Sequence, residues 1–368
     1  SIDYSGVDTN RSYTYVVEDI NGNVERKKIK NCTVSSVAPE KMTEALADVK
    51  FGFVLREDDP VNRVATPTKL SSYLSAGVIP IFSKYLKDKF GQKVYKISLD
   101  GGFTCPNRDG KAGTRGCIFC SKGGSGDFAE SREMSITEQI ESGKKKVEKK
   151  IKSGKYIAYF QAFTNTYAPV EMLRQKYEEA INHPDIVALS IATRPDCLGD
   201  DVLKLLDEMN KIKPVFVELG LQTIHQKSAK YIRRGYDLSV YDKAVRDLKK
   251  IGVNVVVHVI LGLPNESEND MLETVKYVCE SGANGIKLQL LHVIDGTDLA
   301  KDYEKGLFKT LEFDEYVNLI VKCVKIIPKD IVIHRLTGDG AKKDLIAPLW
   351  SADKKRVLNA INKALRES

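Results

Sequence analysis

No run of 18 consecutive apolar residues occurs in this chain, and it opens on Ser-Ile-Asp-Tyr rather than on a charged-then-apolar leader. Both absences speak against a membrane-spanning helix or a secretory signal, and the expected location is the cytoplasm. No internal repeat of fixed period is visible. The chain also lacks the compositional poverty of disordered or collagen-like sequences: hydrophobic residues make up 42% and charged residues 29% of 368 positions, enough for a real core. Cysteine is sparse and odd in number, with seven in all, three of them inside sixteen positions. Without a leader, that pattern sets aside a disulfide-stapled class and points to metal or redox chemistry.

What is present is unevenly charged. Residues 1–82 hold 10 Lys/Arg and 11 Asp/Glu, whereas 83–368 hold 47 and 39, so the formal +7 is a near-neutral head on a +8 body. That excess is compatible with a nucleic-acid or other anionic partner without requiring one. From about residue 92 onward, short β-branched runs alternate with amphipathic stretches. Strands are expected at 93–99, 156–161, 186–192, 215–219, 253–261 and 285–291, with a further one at 330–333. Helices are expected between them at 136–152, 169–182, 200–211, 238–251 and 267–281, and a basic amphipathic helix at 352–365. Strands separated by helices of this length imply βαβ units and a parallel sheet, either a full or partial β/α barrel or a doubly wound sheet. In both, chemistry belongs at the carboxyl ends of the strands. The first 82 residues break this beat. Strands at 11–17 and 24–29 flank Asn21-Gly22-Asn23, a hairpin signal, followed by a Lys/Glu helix, a strand at 51–55 and a helix at 69–75 closed by Gly77.

Cys105, Cys117 and Cys120 lie in TCPNRDGKAGTRGCIFC, directly after the first strand of the repeating part. Gly110, Gly113 and Gly116 let the backbone wrap a compact inorganic object. Three thiolates on one loop suit a [4Fe–4S] cluster with one iron left open. A zinc site would want a fourth Cys or His in a second close pair, but Cys197, Cys279 and Cys323 stand singly. Inert buried thiols are the remaining alternative.

The three-cysteine loop after strand one resembles that of the radical S-adenosylmethionine (SAM) superfamily. Its C-x11-C-x2-C spacing departs from that superfamily's usual three-residue first gap. It is similar instead to the YhcC/YtqA-type branch, related to the catalytic subunit of Elongator. The resemblance covers about 84–368 through YLKDKFGQKVYKISLDGGFTCPNRDG, YFQAFTNTYAP, ATRPDCL, VELGLQT, HVILGLPNE, LLHVIDGT and HRLTGDG, in that order. It implies an α/β fold: a partial (β/α)6-type radical SAM barrel with a C-terminal extension over 83–368, preceded by a small α/β segment over 1–82.

The resemblance also implies roles. Cys105, Cys117 and Cys120 would hold the cluster, with Phe119 beside it. Thr164, Asn165 and Thr166 would meet the methionine amino group of SAM, and Thr193 and Arg194 its carboxylate or a substrate anion. Glu218 and Gln222 would take the ribose hydroxyls and amino group. One of Arg233 and Arg234, with Arg234 favoured, would reach the cofactor while the other faces solvent. His258 is either a satisfied core histidine or a cofactor contact, and Gly262 and Leu290 would flank the adenine. The branch often has His where Gln289 stands. His334, Arg335 and Asp339 close the series toward the substrate. The implied activity is reductive cleavage of SAM to methionine and a 5′-deoxyadenosyl radical, fed by an electron donor such as flavodoxin or ferredoxin. Kinship with Elongator and with wobble-uridine side-chain processing makes tRNA the implied substrate. Residues 1–82 fall outside this match. Their REDDPVNRVATPTKLSSYLSAGVIPIF resembles part of a GT-B glycosyltransferase, with Ser72 where that family usually has a ribose-gripping glutamate, so the segment is expected to be non-catalytic. A non-catalytic, metal- or cluster-containing RNA-binding scaffold and a glycosyltransferase-related protein are the competing readings.

Overall fold

The computed structural model describes residues 13–18, 24–29, 82–124, 129–148, 154–338 and 342–368. The chain divides into two compact units, Ser1–Thr66 and Pro67–Ser368. In the first, β1 (Tyr13–Glu18) and β2 (Val24–Ile29) pair antiparallel, Tyr13 opposite Ile29 and Glu18 opposite Val24. This is the expected hairpin. Its Asn21-Gly22-Asn23 turn, the elements expected at 51–55 and 69–75, and Ser72 lie outside the described residues.

The second unit begins its description with helix α1 (Phe82–Phe90) and then alternates strand and helix. β3 (Val94–Leu99) leads through the cysteine loop to α2 (Ile136–Glu148). β4 (Lys155–Phe160), α3 (Val170–Asn182), β5 (Ile186–Thr193) and α4 (Asp200–Ile212) follow. β6 (Val215–Gln222) is joined by the short α5 (Gln226–Tyr231) and by α6 (Leu238–Lys250) to β7 (Asn254–Leu261). α7 (Glu268–Glu280) precedes β8 (Gly285–Leu290). The C-terminal part adds β9 (Val293–Ile294), α8 (Asp298–Glu304), α9 (Phe313–Ile326), β10 (Val332–Arg335), β11 (Leu345–Ala347) and α10 (Lys354–Glu367). One seven-stranded sheet runs β3-β4-β5-β6-β7-β8-β10, every neighbouring pair parallel. It curls into a half-barrel, as expected, rather than the doubly wound alternative, in which strand order reverses at a switch point.

Strand periodicity of two sorts the side chains onto two faces. On the outer face, Ile97, Leu99, Ala158, Phe160, Leu189, Val217, Leu219, Val255, Val257 and Leu288 join buried residues of α2, α3, α4, α6, α7 and α9 in one apolar core. On the inner face, Val94, Ile157, Ala188, Phe216 and Val256 pack with Leu86 of α1. Phe82 stacks on His334 at a 3.9 Å centroid distance and meets Phe216 edge-on, so α1 closes the amino end of the half-barrel. Further along the same inner face stand the polar residues Lys96, Ser190, Glu218, His258 and Lys287.

Three sequence expectations change here. The fourth strand of the repeat does not stop at 219 but continues as β6 to Gln222, with a register shift between Leu219 and Gln222 and Gln222 itself at φ +69°. Arg233 and Arg234 are not helical: α5 ends at Tyr231, and Arg233 turns the chain at φ +58°. The sequence reading had no helix at 313–326. There Val317, Ile320, Val321 and Val324 form a β-branched run that reads as strand or helix alike, and burial against α7 and α10 decides for helix.

Close packing of α2 on β3 depends on Gly143, where an added Cβ would press well inside contact distance of Ile97 Cγ2. Ile97 is β-branched and cannot swing clear. Gly143→Ala is therefore expected to lower stability by about 1–3 kcal/mol, outweighing the gain of about 1 kcal/mol in helix propensity. Denaturant unfolding should show the loss and its relief in the Gly143→Ala/Ile97→Ala double variant. A more stable Gly143→Ala protein would contradict this packing.

Candidate active site

The loop after β3 folds on itself through backbone bonds. Arg108 and Asp109 donate to the Cys105 carbonyl, Ala112 and Gly113 to that of Pro106, and Gly116 to that of Asn107 at 2.7 Å. Arg108 threads back to donate to the carbonyls of Ser121 at 2.5 Å and Cys120 at 3.3 Å. Asn107 Nδ2 lies 3.4 Å from Cys117 Sγ and 2.7 Å from the Arg233 carbonyl, tying the loop to the turn after α5. Cys105, Cys117 and Cys120 form no disulfide and are half-buried. Burial pushes the Cys117 thiol up to about 12. Such a thiol stays protonated at neutral pH unless a metal takes the proton's place, which suits a ligand better than a free nucleophile.

All three cysteines face a cavity of about 300 Å³ at the carboxyl ends of the strands. Of the residues singled out from sequence, Phe119, Thr164, Thr193, Arg194, Glu218, Gln222, Arg234, His258 and Leu290 line it too. Asn165, Thr166 and Gly262 do not. Asn165 Nδ2 donates to the Ala192 carbonyl at 2.9 Å, and Thr166 Oγ1 bridges Thr193 Oγ1 at 2.5 Å and the Cys197 carbonyl at 2.6 Å, so both pin the ends of β4 and β5 together. Gly262, at φ +89°, lies against Leu311 and Leu291 behind the wall. Asp339 is outside the described residues.

Several lining residues already have partners. Arg194 grips Asp196 with a two-pronged pair at 2.9 and 2.7 Å. Arg234 is spent on backbone carbonyls, those of Thr223 at 2.6 Å and Tyr236 at 3.0 and 3.1 Å, while Arg233 pairs with Asp298 at 2.7 Å. Glu218 is fully buried. Its Oε1 takes Lys96 and the Ser190 hydroxyl at 2.6 Å; its Oε2 takes Lys287 and His258 Nε2 at 2.8 Å. Tyr159 closes this hub, with its ring under both ammonium groups at 4.4 and 4.9 Å. Burial would raise the Glu218 carboxyl, but Lys287 and Lys96 overcome that and hold it well below the usual range. Burial lowers Lys287 to about 7 and His258 to about 4, Glu218 opposing both. A neutral His258 donates through Nε2 to Glu218 and turns Nδ1 toward Gln289, 3.4 Å away.

Sequence reasoning missed Lys96, Lys287, Tyr159, Gln161 and His292. The first two looked like ordinary strand lysines, and their carboxylate lies 122 and 69 residues away along the chain. Gln161 and His292 carried a signal only through their motifs, YFQAFTNTYAP and LLHVIDGT. They matter because Gln161, His292, Ser121 and Gln222 all line the cavity, and their buried Nε2, Nε2, Oγ and Oε1 atoms have no hydrogen-bond partner. Buried polar atoms are rarely left unpaired, so four at one cavity mark a place built for a polar ligand.

The Radical SAM superfamily model matches residues 109–278, and the Radical_SAM C-terminal domain model matches 283–367. YtqA of Bacillus subtilis (strain 168) is 50% identical over 281 residues, which cover 76% of this chain and 87% of that protein. The tRNA uridine(34) acetyltransferase of Methanocaldococcus jannaschii is 30% identical over 168 residues, 45% of this chain and 30% of that one. The structure of Methanocaldococcus infernus Elp3 with an N-terminal deletion is similar in fold, with a TM-score of 0.57 at 20% identity, covering 74% of this chain and 63% of that one.

With His258 held neutral inside the protein, unfolding takes up a proton between about pH 4 and the ordinary histidine value near 6.5. The contribution of His258 to stability is thus complete above pH 6.5 and is lost as the pH drops toward 4, at up to about 1.4 kcal/mol per unit. His258→Gln keeps a donor for Glu218 and is expected to flatten this slope by on the order of 3 kcal/mol over the interval. Denaturant titrations at several pH values measure it, and a His258→Gln profile parallel to that of the wild type would refute the assignment.

Proposed function

The chain belongs to the radical SAM superfamily, in its YtqA-like branch, and on that premise we propose that it is a radical SAM enzyme acting on tRNA wobble uridine. One observation carries the reading: three cysteines of a single loop open, at the carboxyl ends of a curled parallel sheet, onto a cavity whose buried polar atoms lack partners. The residues fit the two cofactors. Cys105, Cys117 and Cys120 hold a [4Fe–4S] cluster, leaving one iron for SAM. With both bound, one-electron reduction supplies methionine and a 5′-deoxyadenosyl radical that takes a hydrogen atom from an unactivated C–H bond.

The protein's own part is binding, orientation and exclusion of water. Thr164 and Thr193 sit at the ends of β4 and β5 beside the cysteine loop, where the polar end of SAM belongs. Gln222 offers its unpartnered Oε1 to an N–H or hydroxyl of the nucleoside, and Gln161 and Ser121 offer donors. Phe119, Ile260, Leu290 and Leu291 give the apolar wall against which a purine lies. Arg194, fixed by Asp196, places fixed positive charge near Cys105 and Cys117. Glu218 acts from beneath: with both oxygens engaged, it orients His258 and the two lysines rather than gripping the ribose. Asn165, Thr166 and Gly262 shape the wall from behind.

Similarity to a tRNA uridine(34) acetyltransferase and the +8 excess of residues 83–368 support a tRNA substrate. A low-potential carrier such as flavodoxin or ferredoxin supplies the electron. Among the described residues no helix is long and apolar enough to cross a membrane; the proposed tRNA substrate and electron carrier place the work in the cytoplasm. Residues 1–82 take no part in the chemistry.

Anaerobic reconstitution with iron and sulfide, followed by assay of 5′-deoxyadenosine, tests the activity. Wild type should hold about four irons per chain and release 5′-deoxyadenosine under reduction; Cys117→Ala should do neither. A protein that binds one zinc and never cleaves SAM would overturn the reading. For the substrate, nucleoside analysis of tRNA from cells lacking the gene should show an altered wobble-uridine fraction, and an unchanged profile removes tRNA.

A further inference from the structure

The cysteine loop has a second face. Behind it lies a groove of about 580 Å³, bounded by Asn107, the 112–116 stretch of the loop, α5 and the turn that follows it. The loop side of this groove is built entirely from the eleven residues that separate Cys105 from Cys117. Asn107 and Gly116 stand between groove and sulfur: Asn107 Nδ2 is 3.4 Å from Cys117 Sγ, and Gly116 lines the groove and the cavity alike. The Cys117 sulfur is therefore one residue's thickness from the groove.

The rim is cationic. Arg115 and Lys230 are exposed, Arg115 by 71% of its side chain, and Arg233 lines the groove with them. Asp237 is the one acidic residue lining the groove. Asp298, behind it, is outnumbered, sharing its carboxylate among Arg233 at 2.7 Å, Lys301 at 2.8 Å and Arg115 at 3.7 Å. Three cations, Arg115, Lys230 and Arg233, line the groove against the one carboxylate of Asp237 and leave it positive.

We propose that this groove is the docking site for the acidic face of a one-electron carrier protein. The inference rests on the radical SAM reading and specifies where its reductant binds. An electron donor has to approach the cluster without entering the space filled by SAM and substrate, and the groove is the face of the loop that meets this condition. One electron leaves the reduced carrier, which is oxidised by one equivalent, and enters the cluster; no bond is made or broken. Charge complementarity favours an acidic protein and speeds its encounter. A nucleic acid would also be drawn to positive charge, but its target base has to enter the cavity mouth, on the other face of the loop.

The test uses the reconstituted full chain, reduced flavodoxin as the probe, and the Arg115→Glu/Lys230→Glu variant. Binding is followed by calorimetry, with and without the cluster, and reduction by bleaching of the cluster's visible absorbance. The variant should bind flavodoxin on the order of tenfold more weakly and accept its electrons correspondingly slowly. Iron content and reduction by dithionite should be unchanged. Wild-type binding should weaken as salt is raised toward 1 M, where screening acts within about 3 Å. Arg115→Gln/Lys230→Gln should fall between, which separates lost charge from local misfolding, and Lys355→Glu/Lys363→Glu on α10 should behave as wild type. Unchanged flavodoxin binding in the reversed variant, or a loss confined to tRNA binding, overturns the proposal. If dithionite reduces no cluster in the wild type, the radical SAM reading itself falls.

Discussion

The half-barrel is organised around one buried carboxylate. Glu218 sits on β6, the middle strand of seven, and draws Lys96 from the edge strand β3, Ser190 from β5, His258 from β7 and Lys287 from β8 onto its two oxygens. Strands three positions apart in the sheet can meet at one point only if the sheet curls, so the hub requires curvature and also fixes it. Removing a partner would leave buried charge uncompensated, a loss on the order of 3–5 kcal/mol. Charges cluster here because the outer face already takes the apolar side chains, and among the described residues no helix covers the inner face above Phe216. The hub is the solution for an interior that must stay open at one end.

Above the hub, the cavity mouth is stiffened by side chains that spend themselves on the backbone. Arg234 donates to the carbonyls of Thr223 and Tyr236, Tyr236 to that of Gly220, and Asn107 to that of Arg233. These bonds stabilise the left-handed residues Gln222 and Arg233, which non-glycine residues adopt at some cost. The result is that Gln222, a residue of the cavity wall, keeps its buried amide oxygen without a hydrogen-bond partner. Polar groups held unsatisfied by rigid neighbours pre-organise a site: a ligand finds its partners already placed and loses little entropy in fixing them.

Much of this was legible in the sequence, for a definable reason. Alternation of β-branched runs with amphipathic helices is a local signal, and it located six strands of the sheet and the last, β10, within a few residues. The cysteine spacing is local too. What could not be read is pairing across distance. Glu218 in an apolar strand announced a special role, but nothing near it named Lys96 or Lys287. The natural inference, a hydroxyl of the ligand, assigned outward a valence that the fold satisfies inward. Arg234 shows the same limit, since an arginine committed to the carbonyls of Thr223 and Tyr236 looks in sequence like one free for an anion. Thr166 and Asn165 stand in a motif that belongs to the site, yet they serve it by joining β4 to β5.

The long first gap between the cysteines acquires a physical meaning from the two-sided loop. A three-residue gap has room to wrap an inorganic centre and little else. Eleven residues build the turn from Pro106 to Gly113, bring Asn107 against both Cys117 and the Arg233 carbonyl, and present Arg115 outward. The loop becomes a partition, with thiols facing the cavity and backbone and positive charge facing the groove. Chemistry that generates a reactive radical needs water excluded on one side, whereas delivery of electrons needs close approach on the other. Under the proposed function, the wall would have to be thin for the second and closed for the first. Gly116 meets both demands: it lines both spaces, at φ +73°, where an added Cβ would strike the Arg108 guanidinium that braces the loop.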